Sequence, residues 1–269
     1  PPSDERLRVL VVGDSVALQI GEALCGWAVA NPGRMVVLNE AHLGCVVGRH
    51  GLKRVPEGDE GPVGEICSAW NEPVPTHVML QSEVVSWPSA VEAFRPDIVL
   101  GHVTAWDVTD RLVPSLGDEW VWVGVPAYDA YISSEYRLAS QVLGSTGAHV
   151  YWLTMLPSPE AGQPERLNRL LADLAGGDDR MSLVDLTPGF TDTEGSYVQY
   201  VDRHGAAWPV RKVDGIHICR EGAEVAAEIT AAAILADAGL DLVAGWEKDP
   251  WRSDPLYEVD PCEDPAPLG

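Results

Sequence analysis

Val9-Leu10-Val11-Val12-Gly13-Asp14-Ser15-Val16-Ala17-Leu18 lies near the start of this 269-residue chain. An apolar run of strand character stops at Gly13, and a helical pattern begins at once after Ser15. A buried strand that feeds directly into a helix is the opening unit of a parallel α/β sheet. The junction then falls at the carboxyl edge of the sheet, where such folds bind their ligands. A serine at that point stands at a helix N-terminus, beside backbone N–H groups that lack intrahelical acceptors. If Ser15 is a nucleophile, the chain must also supply a base, a carboxylate to orient it and donors for an oxyanion.

Working outward, apolar runs predict strands at 7–12, 35–39, 97–103, 148–154 and 181–186, with a short one at 120–123. Helical periodicity predicts helices at 16–30, 86–94, 127–143, 164–175 and 220–238. Asn31-Pro32-Gly33, Gly144 and Gly176-Gly177 supply their stops. Residues 44–75 read as a long irregular loop, and a second irregular stretch follows Leu186. Strands alternate with helices, which predicts one α/β domain over 1–246 with a parallel sheet covered on both faces. A Pro- and Asp-rich tail over 247–269 reads as a surface-draped segment.

Composition narrows the function. Forty-one acidic residues against 18 basic ones give a net charge of -23. A nucleic-acid partner needs a positive face, and so does anionic lipid, so both are excluded as principal partners. No run is long enough to span a bilayer. The chain opens Pro1-Pro2-Ser3 without an initiator Met or a signal peptide, which reads as a mature product or an excised domain. Of five cysteines, Cys45 and Cys67 bracket the Gly- and Pro-rich stretch. A disulfide between them would staple that loop and imply an oxidising compartment. Cys262 in the tail is a partner for Cys25 or Cys219, and five reduced thiols in a cytosolic protein is the alternative. No Cys/His cluster suggests zinc.

The second informative stretch is Val213-Asp214-Gly215-Ile216-His217, just before the last helix. A turn through Gly215 lets a carboxylate and an imidazole face one cleft. Asp214 can then accept from one imidazole nitrogen while the other faces Ser15. Taken singly, Gly-Asp-Ser is an ordinary helix cap and Asp-x-x-His an ordinary surface turn. Together they sit at strand–helix junctions in the order that the fold needs.

Gly13-Asp14-Ser15 and Asp214-Gly215-Ile216-His217 resemble the first and last signature blocks of the SGNH (GDSL-type) hydrolases. The resemblance implies a flavodoxin-like three-layer fold, with Ser15 as nucleophile, His217 as general base and Asp214 as its orienter. It implies no metal and no dissociable cofactor. Gly44 matches the second-block glycine, whose N–H joins that of Ser15 in the oxyanion hole. In the third block the family carries Gly-x-Asn-Asp, and here stands Thr104-Ala105-Trp106-Asp107. Trp106 takes the place of the oxyanion asparagine. Asp107, with Asp110 and Arg111, reads as part of a local ion-pair network rather than a substrate ligand, and Asp107 is also a candidate to face the cleft. Loss of one oxyanion donor typically costs about 3–4 kcal/mol in the transition state.

Gly44-Cys45, Cys67-Ser68-Ala69-Trp70, Trp106-Asp107 and Arg166-Leu167-Asn168 further resemble one branch of that superfamily. It is the extracytoplasmic SGNH-like domain of bacterial membrane O-acyltransferases. That likeness implies a cell-envelope location and a membrane acyltransferase partner or fused domain. It also implies transfer of an acyl group, acetyl by expectation, to a glycan hydroxyl through an acyl-enzyme. The rival readings are a non-catalytic glycan-binding or docking module, and a cytosolic tailoring esterase of small-molecule biosynthesis. A metallophosphoesterase is weaker still, since metal-binding His/Asp clusters are not evident. Trp106 is a candidate to stack on a sugar, and His102 reads as a satisfied core histidine. Leu156-Pro157-Ser158-Pro159 follows a strand at the same sheet edge and is a candidate border of the cleft.

Overall fold

A computed structural model describes residues 6–54, 58–63, 74–77, 82–102, 105–159, 163–203 and 205–242. Cys67, Thr104, Cys262 and the 247–269 tail lie outside these. In chain order the elements are β1 (Leu7–Val12), α1 (Ser15–Ala30), β2 (Met35–Asn39), β3 (Leu52–Arg54), β4 (Glu60–Pro62), β5 (Val74–His77) and β6 (Ser82–Val84). Then come α2 (Trp87–Phe94), β7 (Ile98–His102), β8 (Asp110–Leu112), α3 (Pro126–Leu143), β9 (His149–Leu153) and α4 (Gln163–Gly176). The chain closes with β10 (Met181–Val184), β11 (Tyr200–Arg203), β12 (Ala206–Pro209) and α5 (Arg220–Asp237).

The central sheet is five-stranded and parallel, in the order β10-β9-β7-β1-β2. Strand order reverses between β1 and β7, which makes the crevice beyond their carboxyl ends the expected ligand site of a flavodoxin-like sheet. Period-two alternation divides the buried side chains between two faces. Leu10, Val12, Val99, Val150 and Trp152 point to one, where they meet Val91 of α2, Tyr128, Ile132 and Tyr136 of α3, and Leu167 of α4. Val9, Val11, Ile98, Leu100 and Leu153 point to the other, against Ile20, Leu24 and Trp27 of α1 and the small Ala223, Ala227 and Ala231 of α5. Each large aliphatic side chain buried this way contributes about 1.5–3 kcal/mol. The expected three layers are therefore formed, and the core runs along both faces of the sheet.

The sequence-based elements hold to within a residue or two, and the differences lie in the connections, where the β5–β6 pair was also not foreseen. Residues 44–75 are not wholly irregular: β3 and β4 lie within them and pair with β8 as a small antiparallel sheet. Lys53-Arg54 and Glu60-Gly61-Pro62 carry no apolar alternation, so nothing marked them as strands. The expected strand at 120–123 shrinks to a single bridge between Arg111 and Val121. The irregular stretch after Leu186 contains the β11–β12 hairpin, closed through Gly205.

The expected Cys45–Cys67 disulfide is not formed, because Cys45 stands outside any disulfide. Its side chain is 4% exposed and packs with Leu10, Val12 and Val46 in the core, so it serves as a small apolar group. Cys25 is likewise not bridged, and burial pushes its thiol up to about 11, with Glu22 adding to the shift. Cys219 is disulfide-bonded.

Candidate active site

The carboxyl end of β1 delivers the turn that carries Ser15. Gly13 has φ +134°, and a Cβ there would lie 2.8 Å from Ala17 Cβ and 3.2 Å from the His102 carbonyl oxygen. Only glycine meets both demands, a left-handed backbone and a close approach to β7. Asp14 is the N-cap of α1, and its Oδ1 accepts from the N–H groups of Val16 at 3.0 Å and Ala17 at 3.2 Å. That leaves the Ser15 N–H, at the first helical position, as a donor without an intrahelical acceptor.

The carboxyl end of the chain supplies the other two groups. Ser15 Oγ lies 2.8 Å from His217 Nε2, and His217 Nδ1 lies 2.7 Å from Asp214 Oδ2. Asp214 Oδ1 accepts from the N–H groups of Ile216 and His217, both at 2.9 Å. Burial pushes the Asp214 carboxyl up, but the His217 hydrogen bond and the two backbone donors outweigh it and hold the group below its ordinary value. With Asp214 ionised, Nδ1 carries the proton and Nε2 presents its lone pair to the serine hydroxyl. The three residues expected to act together are brought together.

The turn that carries Asp214 and His217 is braced from below by Arg211, 2% exposed. Its guanidinium donates to the Pro157 carbonyl at 2.9 Å, to Ile216 O at 3.3 Å, and to Gly215 O. Burial lowers its pKa to about 10. Pro159 packs against Gly215, and Asn168 pins Met155 through paired bonds of 2.8 and 2.9 Å. The Leu156–Pro159 segment is thus a buttress for the turn that holds Asp214 and His217. No sequence spacing marked Arg211, because its partners are main-chain carbonyls.

Gly44, expected to supply an oxyanion donor, stands in the loop after β2, whose course beside the Ser15 turn is set by the bonds Glu40 N–H to Val11 O and His42 N–H to Gly13 O, both 2.9 Å. Its φ of +76° is again glycine territory. Trp106 sits in a short 3-10 turn, with Lys53 Nζ 3.6 Å from its ring centroid. One ring face is therefore covered by an ammonium group rather than offered to a sugar.

Asp107 corrects the expectation that it borders the cleft. It is fully buried, and its carboxylate accepts from Val47 N–H at 3.1 Å, Gly48 N–H at 2.9 Å and Tyr136 Oη–H at 2.8 Å. Burial pushes its carboxyl up, while Gly48, the nearby Arg111, Val47 and Tyr136 pull the other way. Arg111, also fully buried, donates to the carbonyls of Gly48 at 2.7 Å and His50 at 3.0 Å. The pair pins residues 47–50, just after Gly44, so Asp107 acts on the scaffold and not on substrate. His102 is buried as expected but not satisfied: neither ring nitrogen has a hydrogen-bond partner, and Nδ1 lies 3.5 Å from Asp14 Oδ1. Among the described residues no group of three or more His, Cys, Asp and Glu could hold a metal, and no helix is long and apolar enough to cross a membrane.

A family model described as "Protein of unknown function (DUF459)" matches residues 80–233. The match takes in Asp214 and His217 and leaves Ser15 outside. A search of curated proteins finds no match. Solved structures similar to this chain include a carbohydrate esterase family 3 protein from Talaromyces cellulolyticus, at 11% identity and TM-score 0.51, covering 87% of this chain and 98% of that one. A GDSL-like lipase from Bacteroides thetaiotaomicron VPI-5482 aligns at 13% identity and TM-score 0.51, over 88% of this chain and 91% of that one. A carbohydrate esterase family 2 enzyme plus carbohydrate binding domain, from Corynascus thermopiles (Myceliophthora fergusii), aligns at 16% identity and TM-score 0.51, over 87% and 67%. At these identities the likeness is one of fold, that of the SGNH hydrolases.

Proposed function

The chain belongs to the family described as DUF459 and has the SGNH hydrolase fold, and from that premise we propose that it is a serine-dependent O-acyl esterase or acyltransferase acting on a carbohydrate hydroxyl. The observation that carries this reading is the continuous chain Ser15 Oγ–His217 Nε2 and His217 Nδ1–Asp214 Oδ2, at 2.8 and 2.7 Å. Nε2 takes the hydroxyl proton as Oγ bonds to the acyl carbon. The carbonyl electron pair moves onto oxygen, where the N–H groups of Ser15 and Gly44 receive it. The carbon–oxygen bond to the leaving alcohol then breaks, and the alcohol takes the proton from Nε2. Water or a sugar hydroxyl attacks the acyl-enzyme by the same steps in reverse, with Nε2 again as base.

The names of the neighbours, carbohydrate esterases of two families among them, support a glycan ester as substrate. The resemblance to the extracytoplasmic domains of membrane acyltransferases supports an envelope location, an acyl donor delivered by a membrane partner, and acetyl as the group carried. The test is a purified-protein assay on p-nitrophenyl acetate and on acetylated oligosaccharide, with and without a glycan acceptor. Release of alcohol by the wild type and its loss in Ser15→Ala would support the reading. Binding of the glycan without turnover, equal in both proteins, would establish the docking-module alternative instead.

A further inference from the structure

Gln19 lies one helical turn after Ser15 on α1, on the same face of the helix. Its carboxamide makes two bonds to the main chain of Ile218, the residue directly after His217. Nε2 donates to Ile218 O at 2.9 Å, and Oε1 accepts from Ile218 N–H at 3.3 Å. One planar group thereby ties the helix that carries the nucleophile to the segment that carries the base, across 199 residues of sequence. We infer that Gln19 is a positioning residue for acyl transfer, setting the Ser15–His217 separation through this two-point clamp. The inference rests on the proposed serine chemistry.

The geometry makes the clamp a controller of rate and not of fold. The His217 side chain is held laterally by Ser15 and Asp214, and its own carbonyl accepts from Lys212 N–H at 2.9 Å. Arg211 holds the turn from below through Gly215 and Ile216. Arg211 and Asp214 do not refer the turn to α1; the Ser15–His217 bond does, and its length is the quantity in question. Gln19 also ties the turn to α1, through the Ile218 main chain and from a partly buried position, so its removal leaves no large void. α1 stays packed on α5 through Ile20, Leu24 and Trp27, so loss of the clamp leaves the helices in place and frees the main chain beside His217 to shift. A displacement of about 1 Å between reacting groups costs on the order of 100-fold in rate. Gln19 touches neither the acyl group nor the reacting atoms, so substrate binding is left alone.

The test compares wild type with Gln19→Met, which keeps length but has no strong donor or acceptor, and with Gln19→Glu. Three quantities are read: the rate of Ser15 labelling by a fluorophosphonate, kcat and KM on p-nitrophenyl acetate, and thermal unfolding. Gln19→Met is expected to lower kcat and the labelling rate about 10–100-fold, with KM and the unfolding midpoint little changed. In Gln19→Glu an ionised carboxylate accepts from Ile218 N–H but cannot donate to Ile218 O, whereas the protonated acid does both. Its rate relative to wild type should therefore rise as pH falls, a trend that a purely structural residue would not produce. Wild-type rates in Gln19→Met, or a flat ratio for Gln19→Glu, would overturn the inference. Failure of the wild type itself to label would overturn the serine chemistry, and the inference with it.

Discussion

Replacing Asp214 by asparagine separates the charge and orientation of the carboxylate from its mere presence. Oδ1 holds the Ile216 and His217 N–H groups, and Oδ2 holds His217 Nδ1. An asparagine that keeps its oxygen on the backbone donors turns its NH₂ toward Nδ1. Nδ1 must then accept, the proton sits on Nε2, and the nitrogen facing Ser15 can no longer take a proton. The alternative is to flip the amide, which restores the tautomer but sets NH₂ against two backbone donors, at about 1–3 kcal/mol each. A flip costing roughly 2–6 kcal/mol in all competes with a wrong-tautomer loss on the order of 10⁴, about 5.4 kcal/mol. Neither escape is cheap, so kcat/KM should fall by roughly 30-fold to 10⁴-fold. Stability at neutral pH should fall only modestly, because the Asp214 side chain is 42% exposed. The assay is steady-state hydrolysis of a p-nitrophenyl ester, with Asp214→Ala in parallel. A loss below about tenfold, in a protein that Ser15→Ala inactivates, would refute the role given to Asp214.

Two further outcomes follow from the same geometry. Asp107→Ala strips acceptors from Val47, Gly48 and Tyr136 and leaves the buried Arg111 without its nearby carboxylate, so urea unfolding should show a loss of about 3–5 kcal/mol; a loss under 1 kcal/mol would place its partners elsewhere. Because the Asp214 carboxyl is held below its unfolded value, near 3.9, its stabilising contribution is full above that pH and is lost as pH falls through the native value. The stability difference between wild type and Asp214→Asn, measured by denaturant unfolding over a pH series, should therefore shrink on acidification below about pH 4; a difference that grows would contradict the assignment.

Much of the site was legible because two of its parts lie on strongly periodic elements. Val9–Val12 alternates between the two sheet faces, and Gly13-Asp14-Ser15 ends it with a turn and a cap, so strand, edge and helix start were fixed together. Asp214 and His217 are three residues apart, close enough for one turn to present both. What escaped notice is joined by main-chain hydrogen bonds across long sequence separations. Gln19 meets Ile218, and Arg211 meets Pro157, through carbonyl and N–H groups that every residue has. No residue type at either end advertises such a pairing. Asp107 was half legible: its grouping with Arg111 holds, whereas its place in the third block suggested the cleft and a carboxylate with three donors around it is a strut. Cys45 misled because bracketing a loop says nothing of burial, and its side chain lies in the core.

The central claim is that Ser15 is a nucleophile activated by His217, and covalent trapping tests it most directly. Intact-mass and peptide-mapping spectrometry of protein treated with a fluorophosphonate should show one adduct, on the peptide that carries Ser15. The adduct should be absent in Ser15→Ala and strongly slowed in His217→Ala. An unmodified Ser15 in folded protein, or labelling that proceeds equally well without His217, would contradict the account.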